Sequence, residues 1–217
     1  MCAKTLTIKE NILGANAEKA AVIRKSLDNH HTLMMNVMSS PGSGKTSVIM
    51  RTIERLRHKY QIAVIEGNIA PSIDAEKIAR QDIEAIQINA AGGCHLDAQM
   101  IEKALDTLDL DRIGLIFIEN VGNLVCTADF DLGAHKNVVI LSIPEGDDKP
   151  YKYPVMFVEA DVVLANKIDV LPYFDFNLVA FPEIIKGFNP AAKVFPVSAK
   201  TGEGMDCWFS WIEEALM

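Results

Sequence analysis

The sequence predicts an α/β fold in which a mostly parallel sheet has helices on both faces. Three observations indicate this fold: short apolar runs alternate with helix-period stretches, 49% of the residues are apolar, and 217 residues can bury one substantial core. Strands that alternate with helices pair in parallel, and such sheets bind ligands at the carboxyl ends of their strands. We therefore expect a single domain that spans residues 1–217.

Hydrophobic periodicity predicts the elements in order from the amino terminus. A leading helix is expected at about residues 14–30, before a first strand at 33–38. Further strands are predicted at 61–65, 85–88, 115–118, 137–143, 161–165 and 194–197. Helix-period stretches lie between several of them, at 47–59, 97–108 and 204–216. The stretch 145–154 contains proline, glycine and five charges, and it is predicted to be a loop.

Charge and apolar patterning exclude several classes of protein. Twenty-one basic and 29 acidic side chains give a net charge of −8, so we expect no bulk electrostatic attraction to nucleic acid. No apolar run approaches the roughly 20 residues that a membrane-spanning helix needs, and the first residues lack a secretory signal. Four cysteines at wide spacing do not resemble a disulfide framework. We expect a cytoplasmic protein with free thiols that binds neither nucleic acid nor a membrane.

The segment 39–46, SSPGSGKT, lies between the first predicted strand and a helix. A phosphate-binding loop requires that context, because backbone N–H groups and the helix dipole meet the phosphates. Lys45 would reach the β- and γ-phosphate oxygens and Thr46 would ligate Mg²⁺, which predicts a P-loop NTPase. Ser39 stands where the usual pattern has glycine. The nucleotide-binding residues predicted in this segment are Gly42, Ser43, Gly44, Lys45, Thr46 and Ser47.

Two later motifs indicate that the nucleotide base is guanine. NKID, residues 166–169, ends a predicted strand, and Asp169 can accept both hydrogen bonds that N1–H and the exocyclic amine of guanine donate. Lys167 would lie along the base, and Asn166 would tie loops together. The motif VSAKTGEG at the last predicted strand supplies a second loop over the base, formed by Ser198, Ala199 and Lys200. Three motifs in this order at strand ends predict binding of GTP rather than ATP.

Residues between these motifs are expected to sense the γ-phosphate and Mg²⁺. ENVGN, residues 119–123, occupies the place of the Asp-x-x-Gly loop of many GTPases, so Gly122 can offer its N–H to the γ-phosphate beside Glu119. Asn68 and Asp74 follow the second strand, where they can approach Mg²⁺ directly or through water. Asp74 is equally well explained as an acidic residue in the first turn of a helix.

Cysteine and histidine near these loops predict a second, softer metal site. Cys94 and His95 follow two glycines, and Cys126 lies four residues beyond Gly122. Thiolate and imidazole suit Zn²⁺ or Ni²⁺ but not Mg²⁺. Because neighbouring side chains diverge, Cys94 and His95 need Cys126 as a third ligand, and a second copy of the chain or a water would complete the coordination. Cys207, in a predicted amphipathic helix, is expected to be a small buried hydrophobe.

The chain resembles the HypB family of hydrogenase nickel-incorporation GTPases over nearly its whole length. The resemblance rests on the motifs PGSGKT, IEG with DAEKI, GGCHLDAQMI, FIENVGNLVC, EGDDKPYKYPVMF, NKIDVLPY and SAKTGEGMD. It implies a SIMIBI-type P-loop GTPase that forms a homodimer with GTP and holds nickel or zinc on Cys94, His95 and Cys126 at the dimer interface. It also implies that an accessory protein and the large subunit of NiFe hydrogenase are partners. The face after NKID, including Val170 and Phe174, would supply apolar contact between the subunits.

The sequence departs from the family pattern in three respects. Many relatives have an amino-terminal CxxCGC site or a histidine-rich tract, whereas this chain has only Cys2 and the pair His30 and His31, so nickel storage is not implied. Asn68 stands where the family usually has aspartate, which affects the expected magnesium shell. Thr127 stands where proline is common.

Two other functions fit parts of the pattern. A nucleotide-dependent assembly switch would use the same loops with structural cysteines, and stoichiometric metal on the purified protein distinguishes it. A P-loop kinase of a small metabolite is disfavoured by NKID and SAK, since such kinases need no guanine clamp; comparing GTP with ATP affinity tests it.

No arginine is placed as an obvious finger, so we expect slow GTP hydrolysis. Lys149, in the charged EGDDK segment, is a candidate sensor of the partner's nucleotide.

Overall fold

The structure, a computed structural model, describes residues 8–68, 83–90 and 93–217, without the side chains of 8–12 and 68. Within these residues a single sheet contains β1 Leu33–Ser39, β2 Ile62–Asn68, β3 Glu84–Asn89, β4 Leu115–Glu119, β5 Lys136–Ser142, β6 Val162–Asn166 and β7 Lys193–Val197. The strand order is β3-β2-β4-β1-β5-β6-β7, and every adjacent pair is parallel. The predicted α/β class with a parallel sheet is confirmed.

The helices of the described residues are α1 Ile8–Asn29, α2 Lys45–Leu56, α3 Ala98–Leu105, α4 Lys149–Lys152, α5 Pro154–Val158, α6 Phe181–Phe188 and α7 Met205–Ala215. Three short 3₁₀ helices add Cys126–Ala128, Ile143–Glu145 and Ile168–Tyr173. The leading helix begins at Ile8, earlier than the predicted start near residue 14. None of these helices is long and apolar enough to cross a membrane.

The prediction of a loop at 145–154 is wrong, because most of this stretch is helical. Pro150 and Pro154 had suggested an irregular segment. Each of them instead lies in the first turn of a short helix, α4 or α5. A helix does not use the N–H groups of its first turn, so proline is tolerated at these positions.

Helices cover both faces of the sheet, which explains why its central strands are continuous apolar runs. All seven residues of β1 are buried. Its side chains alternate between the two faces, with Met35 and Val37 in the core under α2 and α7. Met34 faces the core formed with α1 and α3, and Met38 faces the core formed with α5 and α6.

The carboxyl-terminal helix α7 packs against α2 through a tryptophan. The indole N–H of buried Trp208 donates to the hydroxyl of Thr52 at 2.9 Å, which satisfies both polar groups inside the core. Trp211 stacks on Trp208 with ring centroids 5.5 Å apart. Cys207 lies on the outer side of the same helix and is exposed, so the prediction that it is buried is wrong.

Strand order determines where the loops of interest meet. β1 is central, with β4 on one side and β5, β6 and β7 in succession on the other. Because all strands are parallel, their carboxyl ends lie along one edge of the sheet. The P-loop, the ENVGN loop, NKID and VSAKTGEG all leave the sheet at this edge.

Candidate nucleotide and metal site

The P-loop joins β1 to the first turn of α2. Gly42 and Gly44 have φ values of 78° and 99°, a backbone conformation that L side chains rarely adopt. A Cβ on Gly44 would lie 2.5 Å from Nδ2 of Asn166, so glycine is also required there for space. No side chain caps α2 at Gly44. The first N–H groups of α2 can therefore bind an anion such as phosphate.

Lys45 and Thr46 are held by polar partners at the ends of β1 and β4. The Lys45 ammonium donates to Oγ of Ser39 at 2.9 Å, so the serine that replaces glycine in the motif positions the lysine. Burial lowers the pKa of Lys45, while the carboxylates of Glu119 and Glu145 oppose that shift. The Thr46 hydroxyl donates to Oε1 of Glu119 at 2.7 Å. Two of the predicted magnesium residues thus lie together, and their oxygen atoms suit Mg²⁺.

Other predicted residues of this edge lie in different surroundings. Ser47 is exposed in the first turn of α2. Asn68 ends β2 in register with Asn89 of β3. Asp74 lies outside the described residues, so its two interpretations stay as predicted.

Glu145 is part of the P-loop surroundings, although the sequence did not identify it. Its Oε2 accepts hydrogen bonds from Oγ of Ser43 at 2.7 Å and from N and Oγ of Ser142 at 2.8 and 2.7 Å. Its Oε1 accepts one from Oγ of Ser40. Burial acts to raise the pKa of Glu145, but these hydrogen bonds outweigh it and lower the pKa. The available sequence signal was the spacing of Ser142 and Glu145, which is that of a capping box.

Asn166 ties the P-loop to the two loops predicted to hold the base. The residue is buried, and its Nδ2 donates to the carbonyl of Ser43 at 2.9 Å. Its Oδ1 accepts the N–H of Ala199 at 3.2 Å. This is the loop-tying contact that the NKID motif predicted. Arg51, which the sequence did not identify, adds bonds to the carbonyls of Ala199 and Lys200 at 3.2 and 3.0 Å.

Lys167 and Asp169 each make a hydrogen bond to a neighbouring loop. The Lys167 ammonium donates to the carbonyl of Gly42 at 2.6 Å, so the side chain lies across the P-loop. Oδ1 of Asp169 accepts the Ser198 hydroxyl at 2.7 Å. This bond fixes the orientation of the carboxylate, which still has lone pairs on both oxygens for a bidentate contact with guanine.

The ENVGN loop contacts the P-loop through Gly122. A Cβ added to Gly122 would lie 3.0 to 3.1 Å from Cγ, Cα and N of Pro41. Only a residue without a side chain can lie this close without moving the P-loop. A movement of Pro41 in the P-loop would therefore also displace Gly122.

Cys94, His95 and Cys126 form one cluster. Their ligand atoms all lie within 4.8 Å of one another, and Sγ of Cys94 is 3.6 Å from Nδ1 of His95. The expectation that the side chains of Cys94 and His95 diverge is wrong. That expectation holds for a strand, but these residues lie in a bend between β3 and α3, where neighbours need not alternate. The donor set of two sulfurs and one imidazole nitrogen fits Ni²⁺ or Zn²⁺.

Cys94 and His95 each contact a neighbour in the cluster or beside it. A hydrogen bond with Cys126 raises the pKa of the Cys94 thiol. A metal ion would have to displace that proton, so binding would release protons. The His95 ring stacks on Phe130 with centroids 3.9 Å apart and planes 15° from parallel. Phe130 therefore orients the imidazole, a role that the sequence did not indicate.

Asn123 connects Cys126 to the ENVGN loop. Its Oδ1 accepts the N–H groups of Val125 and Cys126 at 2.7 and 3.3 Å, and its carbonyl accepts the Thr127 hydroxyl at 2.7 Å. The side chain thus closes a turn of the kind that asparagine favours. The turn begins directly after Gly122 and ends at Cys126.

The sequence is similar to known maturation factors. A family model described as the CobW/HypB/UreG nucleotide-binding domain matches residues 33–196. Hydrogenase maturation factor HypB of Azotobacter vinelandii is 49% identical over 210 residues, which cover 97% of this chain and 69% of that protein. HypB of Escherichia coli (strain K12) is 44% identical over 210 residues, with 97% and 72% coverage.

Solved structures agree with this similarity. A crystal structure of HypB from Helicobacter pylori in complex with nickel has a TM-score of 0.88 at 36% identity and covers 93% of this chain and 95% of that one. HypB from Archaeoglobus fulgidus has a TM-score of 0.88 at 36% identity, with 94% and 100% coverage. LAO/AO transport system kinase, at 16% identity and a TM-score of 0.57, shares the fold alone.

Proposed function

Because the chain belongs to the CobW/HypB/UreG family, we propose that it is a GTP-hydrolysing metallochaperone that binds nickel and assists its insertion into NiFe hydrogenase. The observation that carries the proposal is the convergence of Cys94, His95 and Cys126 within 4.8 Å, one turn away from the ENVGN loop. The relatives are named hydrogenase maturation factors, and one was crystallised with nickel. Both facts support nickel as the cargo, while zinc fits the same donor set.

The nucleotide half of the proposal assigns a role to each loop. Lys45 and the first turn of α2 would hold the phosphates, and Asp169 would select guanine over adenine. Thr46, with Glu119 beside it at 2.7 Å, would hold Mg²⁺, which neutralises phosphate charge in this class of enzyme. Asn68 and Asp74 remain candidates for its outer ligands. Hydrolysis would be slow for lack of an arginine finger among the motifs.

Contacts between the loops suggest how nucleotide and metal are coupled. Gly122 packs on Pro41 of the P-loop, and Asn123 fixes the backbone of Cys126. A γ-phosphate that draws in Gly122 would therefore shift Cys126 relative to the other two ligands. Allosteric couplings are typically about 1–3 kcal/mol, which changes an affinity by roughly 5- to 150-fold.

Assembly is part of the same proposal. Tyr173 and Phe174 follow NKID and are 82% and 44% exposed, an apolar surface beside the nucleotide loops. Val170 is only half-buried against the neighbouring core. This surface would join two subunits when GTP is bound, and Lys149 could then approach the partner's nucleotide. An accessory protein and the hydrogenase large subunit would receive the metal.

Anaerobic nickel and zinc titrations test this function. The protein is titrated alone, with GDP and with a non-hydrolysable GTP analogue, and light scattering gives the oligomeric state of the same samples. We expect stoichiometric nickel whose dissociation constant depends on the nucleotide, and a dimer with the GTP analogue. Cys126→Ala should lose tight nickel binding and keep GTP binding. Cys207→Ala is the matched control, since that thiol is exposed on α7.

Two results would contradict the proposal. A protein that binds GTP but retains no stoichiometric metal would be the assembly switch with structural cysteines. Equal nickel dissociation constants with GDP and with the GTP analogue, at known monomer and dimer populations, would mean that the two sites are neighbours without coupling.

A further inference from the structure

A carboxylate from the end of β5 reaches the P-loop. Glu145 accepts hydrogen bonds from Oγ of Ser43 at 2.7 Å and from Oγ of Ser40. The two serine hydroxyls also lie 2.8 Å from each other. They occupy the second and fifth positions of the loop SSPGSGKT, so one anionic side chain binds both limbs of the phosphate-binding turn.

Helix capping explains only part of this arrangement. Glu145 is the third residue of the 3₁₀ helix Ile143–Glu145, and its carboxylate accepts the N–H of Ser142 at 2.8 Å. That bond satisfies the capping requirement. The additional bonds to the P-loop serines bring a negative charge to a loop whose expected ligand is itself an anion. Capping alone does not require that proximity.

The charge of Glu145 acts at the phosphate site. Hydrogen bonds hold the pKa of this carboxyl below its usual value, so the side chain is a carboxylate at neutral pH. It is near enough to Lys45 that its field acts on the pKa of that ammonium. The Glu145 carboxylate would therefore repel a phosphate chain bound by Lys45. The repulsion is greater for a nucleoside triphosphate, which is more highly charged than a diphosphate.

We propose that Glu145 is a specificity-determining residue that lowers the affinity of the P-loop for a guanine nucleoside triphosphate relative to the diphosphate. The inference rests on the proposed function, since it assumes that guanine nucleotides bind at this loop. Glu145 also holds the hydroxyls of Ser40 and Ser43 in place. Its charge and its hydrogen bonds therefore affect nucleotide binding in two different ways. The charge sets the preference between the two nucleotides, and the hydrogen bonds hold the loop.

Glu145→Gln separates these two contributions. Glutamine can still accept the capping bond from Ser142, because glutamate and glutamine serve equally at this position of a capping box. The substitution therefore removes the charge and retains the cap and the bond from Ser43, while the amide NH2 at the Oε1 position would donate to the Ser40 hydroxyl instead of accepting from it. We expect the ratio of the GDP to the GTP-analogue dissociation constant to rise roughly tenfold, in favour of the triphosphate, with little change in melting temperature.

The experiment measures both dissociation constants by calorimetry with Mg²⁺ present. Glu183→Gln, an exposed carboxylate on α6, is the control and should leave the ratio unchanged. Glu145→Ala removes charge and cap together, so it should raise the same ratio while lowering the melting temperature. If the Glu145→Gln variant folds poorly, the ratio of dissociation constants measured for the Glu145→Ala variant decides the question.

Several outcomes would overturn the inference. An unchanged ratio in Glu145→Gln, or equal weakening of both nucleotides, would mean that Glu145 is a structural cap of the loop. A ratio that moves in favour of GDP would mean that the carboxylate assists the triphosphate. If the wild-type chain bound neither guanine nucleotide, the proposed function would fail first and this inference with it.

Discussion

Asn123 offers the sharpest test of how the proposed metal ligand Cys126 is positioned. Its side-chain oxygen accepts the N–H groups of Val125 and Cys126 at 2.7 and 3.3 Å. Asn123→Ala removes that oxygen and leaves the ligands themselves intact. We predict that this variant folds normally and binds nickel more weakly, because the backbone of Cys126 is no longer fixed.

The expected size of the effect follows from the two lost hydrogen bonds. Each contributes a net of about 0.5–1.5 kcal/mol, so together they stabilise the turn by about 1–3 kcal/mol. Residues that orient metal ligands from behind typically change metal affinity by about 10- to 100-fold when they are substituted. Both considerations predict a nickel dissociation constant raised on the order of tenfold or more. Anaerobic titration followed by thiolate-to-nickel absorption measures it.

Two control variants make this prediction specific. Asn123→Asp keeps an oxygen at the same position and should bind nickel nearly as well as the wild type. Asn189→Ala also removes side-chain hydrogen bonds to backbone, here to the carbonyls of Val158 and Ala160 at 2.9 Å, but far from the cluster in the chain. It should lower the melting temperature without changing nickel affinity. Wild-type nickel affinity in Asn123→Ala would refute the reasoning.

Two further predictions concern the nucleotide loops. Lys45→Ala should abolish tight GTP binding or hydrolysis, because it deletes the cation that faces the β- and γ-phosphates. The circular dichroism spectrum should stay native. Normal GTP turnover in this variant would contradict the P-loop assignment. Asp169→Asn should reduce the preference for GTP over ATP, since an acceptor becomes a donor that faces a donor of guanine. Competition calorimetry measures that preference, and an unchanged ratio would show that Asp169 does not read the base.

The sequence predicted the strands well because most of them are buried on both faces. A strand covered on two sides needs apolar residues at every position, and such runs are visible without any knowledge of tertiary structure. The observed strands differ from the predicted ones by a few residues at the ends. β1, for example, extends to Ser39, a buried polar residue whose hydroxyl binds Lys45. Periodicity of apolar residues cannot detect such an end.

Several features were not predictable because they depend on loop conformation or on contacts outside any recognised motif. The side chains of Cys94 and His95 converge because the chain bends there, and the His95 ring is oriented by Phe130, 35 residues later in the chain. Glu145 was hidden in a segment whose prolines suggested a loop, although its spacing from Ser142 is a local signal. Its bonds to Ser40 and Ser43 depend on β5 lying beside β1, which no local pattern reveals.

The arrangement of loops limits how the nucleotide could act on the metal. Cys94 and His95 precede α3, whereas Cys126 belongs to the turn that Asn123 closes. Only that turn continues from Gly122, which packs on Pro41. A nucleotide-dependent movement would therefore displace one ligand relative to the other two, which alters coordination more than a movement of the whole cluster.

Linkage then requires reciprocity: whatever factor GTP applies to nickel affinity, nickel must apply to GTP affinity. A nickel-loaded chain would accordingly differ from a metal-free one in GTP affinity, and Asn123→Ala should reduce that difference together with the metal affinity.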